Sequence, residues 1–88
     1  MPSKKQLKKE INDILGALIE EVYVKELSTE KLDLSKSEAI IDEAIALFDE
    51  LIQSMHAAPE QTAKQHFKAI RLQLTQKSSA ISAKIQAL

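Results

Sequence analysis

Residues 35 to 56 separate apolar from polar side chains almost completely at the spacing of an α-helix. Plotted at about 100° per residue, the apolar side chains fill an arc of roughly 160°, and they are Ile40, Ile41, Ala44, Ile45, Leu47, Phe48, Leu51, Ile52 and Met55. An arc this wide exceeds the seam of a two-stranded coiled coil, so this helix is expected to pack against two neighbours. The sequence therefore predicts a compact helical bundle, and it does not identify an activity.

The composition agrees with an all-α fold. The chain has 88 residues, of which 44% are hydrophobic, with one glycine and two prolines. Such a length fits one domain spanning residues 1 to 88. Tyr23, Phe48 and Phe67 are the only aromatic residues, so the core is expected to be aliphatic. Cysteine is absent, which excludes disulfides and thiolate chemistry.

The apolar periodicity predicts an antiparallel up-down-up bundle of three helices, at about residues 4–27, 36–56 and 59–87. Ser35 and Glu38 have the spacing of a capping box at the start of the second helix. Leu32 and Leu34, in the connection before it, are expected to turn inward and close that end of the bundle. Pro59 suits the first position of the third helix. That helix is the longest of the three, and its last turns are expected to project beyond the second.

Charge is distributed unevenly among the three helices. The second helix is mostly acidic and the third mostly basic, and their charges flank the apolar stripes, which favours their antiparallel pairing. Up-down-up topology also brings the basic residues of the first and third helices to one end. They are Lys4, Lys5, Lys8, Lys9, Lys64, Lys68 and Arg71. This basic end is either a solvated surface or a docking site for phosphates or an acidic protein.

The residues that enzymes and metal sites need are sparse. His56 and His66 are the only histidines, without an acidic cluster at metal-ligand spacing, and the single glycine cannot build a phosphate-binding loop. We therefore expect no enzyme, no cofactor, no metal and no small-molecule substrate. No run approaches the roughly 18 apolar residues of a membrane span, and the N-terminus lacks an apolar signal core. These features predict a cytoplasmic protein without a membrane partner.

Some apolar residues lie away from the predicted core. Leu72 points almost directly opposite the main stripe of the third helix, and Tyr23 and Val24 lie at or beyond the edge of the first. Small residues share the side of Leu72: Ala69, Ala80, Ala83 and Ala87. The sequence thus favours a protein–protein interaction module, acting as a homodimer with Leu72 in the contact. The rival readings are a nucleic-acid-binding module that uses the basic end, and a neutralising partner of another small protein.

The segments Gln6-Leu7-Lys8-Lys9-Glu10-Ile11-Asn12 and Ile81-Ser82-Ala83-Lys84-Ile85-Gln86-Ala87-Leu88 resemble the two ends of small bacterial conserved-hypothetical proteins with three helices. This resemblance implies a fold and no particular activity. The chain is more loosely similar to the bacteriocin immunity proteins, which are small antiparallel bundles. It departs from them because it lacks their fourth helix and their longer C-terminal region.

Overall fold

The computed structural model describes residues 4–57 and 63–88. These residues form three α-helices, namely α1 (Lys4–Ser28), α2 (Leu34–His56) and α3 (Ala63–Gln86). Each helix packs against both others. The predicted all-α three-helix bundle is confirmed. Among the described residues no helix combines the length and the apolar character needed to cross a membrane.

Ion pairs between the helices show how the chain runs. Lys77 and Lys84 of α3 each approach a carboxylate of α2 to 2.8 Å, and these partners are Glu50 and Glu43. The partner number falls as the lysine number rises, so α2 and α3 are antiparallel. Arg71 Nε lies 2.9 Å from Glu10 Oε2, which brings the starts of α1 and α3 to the same end. The up-down-up order and the predicted pairing of α2 with α3 are thus both present.

The core is aliphatic and each helix contributes one stripe to it. The buried side chains are Leu7, Ile11, Leu15, Leu18 and Val22 of α1, Ile40, Ala44, Leu47, Leu51 and Met55 of α2, and Phe67, Ile70, Leu74, Ile81 and Ile85 of α3. Half-buried Ser78 fills the longer step between Leu74 and Ile81. The buried hydrophobic residues of α2 all lie within its predicted arc, because burial of apolar surface dominates the packing of such amphipathic helices.

The predicted start of α2 was wrong by two residues. Asp33 is the N-cap, and its carboxylate accepts hydrogen bonds from the backbone N–H of Ser35 at 3.0 Å and from Ser35 Oγ at 2.7 Å. Ser35 is therefore the second residue of the helix and does not form a capping box with Glu38. Leu34, as the first helical residue, is 58% exposed and does not turn inward, whereas Leu32 is half-buried.

The other predicted ends also shift. α1 continues one residue beyond the predicted 27, and Ser28 Oγ donates to the carbonyl oxygen of Val24 at 2.8 Å. α3 ends at Gln86 and not at 87, while Pro59 and the start predicted there lie outside the described residues. The described helices have 25, 23 and 24 residues, or about 35–38 Å each at 1.5 Å per residue. Whether α3 is the longest helix depends on the start predicted at 59, which lies outside the described residues. Near the other end of α3, Lys84 pairs with Glu43, which is nine residues beyond the start of α2. α3 therefore ends at Gln86 alongside α2, and the predicted overhang was wrong.

Candidate functional site

Two apolar stripes run side by side along α2. The first is the buried stripe that contains Leu47 and Leu51. The second advances by seven, four, three and four residues, and it consists of Leu34, Ile41, Ile45, Phe48 and Ile52. Ile41, Phe48 and Ile52 pack against the core with part of their surface exposed. Ile45 and Leu34 are 48% and 58% exposed. The apolar arc of α2 is therefore wider than the surface that α1 and α3 cover.

Contacts across the bundle show which way the second stripe faces. Glu43, Glu50 and Ser54 mark the edge of α2 that faces α3, because they contact Lys84, Lys77 and His66. The second stripe lies on the opposite side of the buried stripe from that edge. It therefore faces the side of α2 next to α1.

The adjoining edge of α1 is also apolar. Glu26 marks it, because its Oε1 lies 2.6 Å from Ser37 Oγ of α2. Ile19 and Tyr23 precede Glu26 by seven and three residues, so they lie on the same side of the helix. Tyr23 is 51% exposed, and Leu27, four residues later, is 89% exposed.

We call this surface the α1–α2 face, and it consists of Ile19, Tyr23, Leu27, Leu34, Ile41, Ile45, Phe48 and Ile52. The large hydrophobic residues that are exposed in the described parts of the chain are Ile14, Tyr23, Val24, Leu27, Leu34, Ile45 and Leu72. Four of these seven belong to the α1–α2 face. Single exposed apolar residues are ordinary on protein surfaces, whereas a contiguous group marks an interaction site.

Carboxylates border the second stripe of α2. This acidic rim consists of Glu38, Asp42 and Asp49, all exposed. Asp42 and Asp49 are seven residues apart, as are Glu43 and Glu50 on the opposite edge. Glu43 and Glu50 are paired with lysines of α3, whereas no residue of the rim has an ion-pair partner within the ranges 4–57 and 63–88.

The predicted basic end is present, but one of its charges is already paired. Lys4, Lys5, Lys8, Lys9, Lys64 and Lys68 are exposed at the end where α1 and α3 begin. Arg71 is half-buried, and its Nε and Nη2 donate to the two carboxylate oxygens of Glu10 at 2.9 and 3.1 Å. This two-pronged contact uses two of the five N–H donors of the guanidinium and holds the side chain against Glu10. Arg71 is thus a bridge between α1 and α3.

Leu72 lies on the outer side of α3, as the sequence predicts, and is 58% exposed. It borders a shallow open depression of about 310 Å³ together with His66, Ala69 and Gln73 of α3 and Ser54 of α2. Ala80, Ala83 and Ala87 are also exposed. Val24 is 58% exposed, but it borders a different depression, beside Ile85 and Gln86 at the junction of α1 with α3.

The polar groups near the core have structural partners. His66 Nε2 lies 2.8 Å from the carbonyl oxygen of Ser54, and His56 is exposed. The hydroxyl of buried Ser37 reaches both Glu26 Oε1 at 2.6 Å and the Leu34 carbonyl oxygen at 3.0 Å, and its one proton serves one acceptor at a time. In the described segments no group of three His, Asp or Glu side chains is placed to hold a metal ion.

Comparisons with protein-family models, with curated proteins and with solved structures found no match. The resemblance to small three-helix proteins stays a prediction.

The predicted arc of α2 includes Ile41, Ile45, Phe48 and Ile52 of the second stripe, whereas Leu34 is predicted in the connection before the helix. The sequence did not indicate that this stripe stays open to solvent. The available signal was the regular spacing from Leu34 to Ile52, which forms a complete stripe beside the one that reaches the core. Ser37 and its partner Glu26 were not singled out, because a serine within an amphipathic helix has no periodic signature.

Proposed function

We propose that this chain is a small non-enzymatic protein-interaction module whose main contact surface is the α1–α2 face. One observation carries the proposal: α1 and α3 leave part of the apolar arc of α2 in solvent. Ile45 lies in the middle of this face and is 48% exposed, and three more large hydrophobic residues are exposed around it. A binding partner would remove this surface from water, at a gain of about 25 cal/mol per Å² of apolar area. The cytoplasmic location expected from the sequence is part of the proposal.

Self-association is a second candidate, and the exposure of Leu72 favours it. Leu72 stands on the outer side of α3 among exposed alanines, and small residues allow close approach of a second helix. A two-fold dimer would place this surface against its own copy. To be stable, the contact should bury about 1,000 Å² or more in total. A neutralising partner of another small protein, the third reading of the sequence, would use the α1–α2 face.

The main proposal is tested by recovering partners from the native cell. Tagged wild type, Ile45→Lys and Gln53→Lys are purified in parallel, and the recovered proteins are quantified by mass spectrometry. Gln53 is exposed on the same helix and lies outside the α1–α2 face. Gln53→Lys therefore adds the same positive charge as Ile45→Lys without changing a residue of that face. We expect a partner that wild type and Gln53→Lys retain and Ile45→Lys loses. Equal recovery by all three folded proteins would remove the α1–α2 face as the contact surface.

Sedimentation equilibrium over micromolar concentrations tests self-association. We expect a dimer that Leu72→Lys dissociates and Thr75→Lys leaves intact, because Thr75 is exposed on α3 away from the alanine-rich side. A monomer of 9.8 kDa at the highest concentration would eliminate the dimer. That result would leave the proposal for the α1–α2 face unaffected.

A further inference from the structure

We infer that the α1–α2 face binds a basic amphipathic helix from a different protein, in the way that the opposite edge of α2 binds α3. This inference rests on the proposed function and specifies the chemistry of the partner. It is carried by the second stripe of α2 together with the acidic rim beside it.

The bundle itself contains the precedent. The sequence from 63 to 88 has no acidic residue, and its basic residues are Lys64, Lys68, Arg71, Lys77 and Lys84. α3 buries its apolar stripe against α1 and α2. In the same contact it places Lys77 and Lys84, seven residues apart, 2.8 Å from Glu50 and Glu43. A basic amphipathic helix is thus the type of element that one edge of α2 already holds.

The other edge of α2 also has an apolar stripe beside two carboxylates seven residues apart, but none of the described helices contributes lysines to pair with them. Asp42 and Asp49 each directly precede one of the paired glutamates and have the same separation of seven residues. Seven residues of helix rise about 10.5 Å, so basic residues seven apart on a docked helix can meet both carboxylates. The apolar stripe of that helix would then cover Ile45, Leu34 and Tyr23. This is the helix-on-apolar-face mode of recognition, with charges at its margin.

A second copy of this chain fits the α1–α2 face poorly. A two-fold contact would bring each acidic rim close to its own copy, and like charges brought together at an interface are unfavourable. The basic helix of the chain, α3, has its apolar stripe in the core, and among its described residues only Leu72 is a large hydrophobic residue that is exposed. The complementary partner is therefore a different protein.

The charges around the face also define where the partner's basic residues lie. The acidic rim follows α2 from Glu38 to Asp49, alongside the exposed part of the second stripe. Lys5 and Lys9 lie at the start of α1, which adjoins the end of α2 beyond Ile52. The basic residues of the bound helix are thus expected along Glu38–Asp49 and not beyond Ile52.

Two synthetic peptides test the inference on the full chain. Both have 18 residues, or about 27 Å of helix, with the same stripe of leucine and isoleucine. Lysine flanks the stripe in one peptide and glutamate in the other. Binding is measured by fluorescence anisotropy at low and physiological salt. We expect micromolar binding of the lysine peptide, at least about tenfold tighter than the glutamate peptide, with the difference shrinking as salt rises.

Variants of the chain locate the contact. Asp42→Lys plus Asp49→Lys should reverse the preference between the peptides. Glu21→Lys plus Glu30→Lys adds the same charge away from the acidic rim and should preserve the preference. Ile45→Ala should weaken binding about three- to tenfold, and Gln53→Ala should leave it unchanged. Circular dichroism melts establish that each variant is folded.

The outcomes distinguish the basic-helix inference from the proposed function of the α1–α2 face. Failure of the lysine peptide to bind, or equal effects of the two double variants, would overturn the basic-helix inference. Tighter binding of the glutamate peptide, still lost on Ile45→Ala, would also overturn it but would support the α1–α2 face as a protein-binding surface. A further outcome is the recovery of a native partner that requires Ile45 but does not displace the lysine peptide from the chain. That result would likewise overturn the basic-helix inference and support the α1–α2 face as a protein-binding surface.

Discussion

Ser37 Oγ lies 2.6 Å from Oε1 of Glu26, and this contact joins the start of α2 to the end of α1. Ser37 is fully buried. Its substitution by alanine removes a hydrogen bond to a carboxylate, which typically contributes about 1.5–3 kcal/mol. Glu26 is half-buried and can turn partly toward water, so we expect a loss of about 1.5 kcal/mol in the free energy of unfolding.

Urea denaturation of Ser37→Ala and of Ser79→Ala measures this effect. Ser79 is exposed on α3, so its replacement should change the unfolding free energy by less than about 0.5 kcal/mol. Equal stabilities of the two variants would show that the buried hydroxyl contributes nothing to the joint between α1 and α2.

The cap of α2 should make stability depend on pH. Hydrogen bonds from the side chain and the backbone of Ser35 lower the pKa of Asp33 below its ordinary value of 3.8. A carboxyl group whose pKa is lower in the folded state stabilises the protein above its unfolded pKa, and this stabilisation is lost as the pH falls through the folded pKa. We expect Asp33→Ala to lower the melting temperature at pH 7, with a difference from wild type that narrows below about pH 4.

Melting temperatures of wild type, Asp33→Ala and Asp33→Asn, measured from pH 7 down to pH 2, test this effect. Asparagine retains a capping oxygen without the charge, so Asp33→Asn should lie between the other two at neutral pH. Differences from wild type isolate the contribution of residue 33, because the three proteins share every other residue. If the difference in melting temperature between wild type and Asp33→Ala stayed constant from pH 7 to pH 2, the charge of Asp33 would not contribute to the stability of the cap.

Leu51 should be among the positions most sensitive to truncation. Its side chain is fully buried in the first stripe of α2. Removing most of a buried leucine typically costs about 2–5 kcal/mol. Gln53 is exposed two residues later, and its replacement by alanine should cost no more than about 0.5 kcal/mol. Urea melts of Leu51→Ala and Gln53→Ala measure both effects, and similar losses would contradict the orientation of α2.

Periodicity predicted the three helices and their buried stripes because one preferred arc on each helix decides which side faces the core. It did not predict the start of α2, where Asp33 and Ser35 are both good caps and the choice depends on which oxygen reaches the free backbone N–H groups. The pairing of Arg71 with Glu10 was equally hidden, since 61 residues separate them in sequence.

The candidate site was only partly visible for a related reason. The width of an apolar arc can be read from the sequence, but how much of it two neighbours cover depends on the distances between helix axes. Leu72 could be assigned to the surface because it lies alone opposite its stripe. Ile45 could not be assigned to the surface from the sequence, because it lies within the apolar arc. It is 48% exposed because of the way α1 and α3 pack against α2.

Replacing Gly16 with alanine should stabilise the protein. Gly16 lies within α1, and a methyl group added there would have no neighbouring atom within 4 Å. Alanine favours a helix over glycine by about 1 kcal/mol, and no steric cost opposes this gain. Thermal melts of Gly16→Ala and wild type measure the change. A decrease in stability would mean that another chain or segment approaches α1 closely at this point.

The basic end should bind nucleic acid only weakly. Its exposed lysines can contact phosphates, which gives an affinity that falls steeply as salt rises. Arg71, the residue best suited to a two-pronged contact with a base or phosphate, is already held by Glu10. Phe67 is buried in the core and cannot stack on a base. We therefore expect no submicromolar binding of labelled duplex or single-stranded DNA at physiological salt.

Lys64→Glu plus Lys68→Glu is the informative variant for this prediction, because neither lysine has an ion-pair partner among the described residues. Lys31→Glu plus Lys36→Glu carries the same change in charge at the opposite end of the bundle and serves as its control. Weak binding at low salt should decrease more for the first pair than for the second. The contrary outcome is submicromolar binding of DNA by wild type at physiological salt that only the first pair of substitutions abolishes. Nucleic-acid recognition would then replace protein binding as the leading function. A phosphate-binding surface would in that case account for the clustered lysines more directly than solvation does.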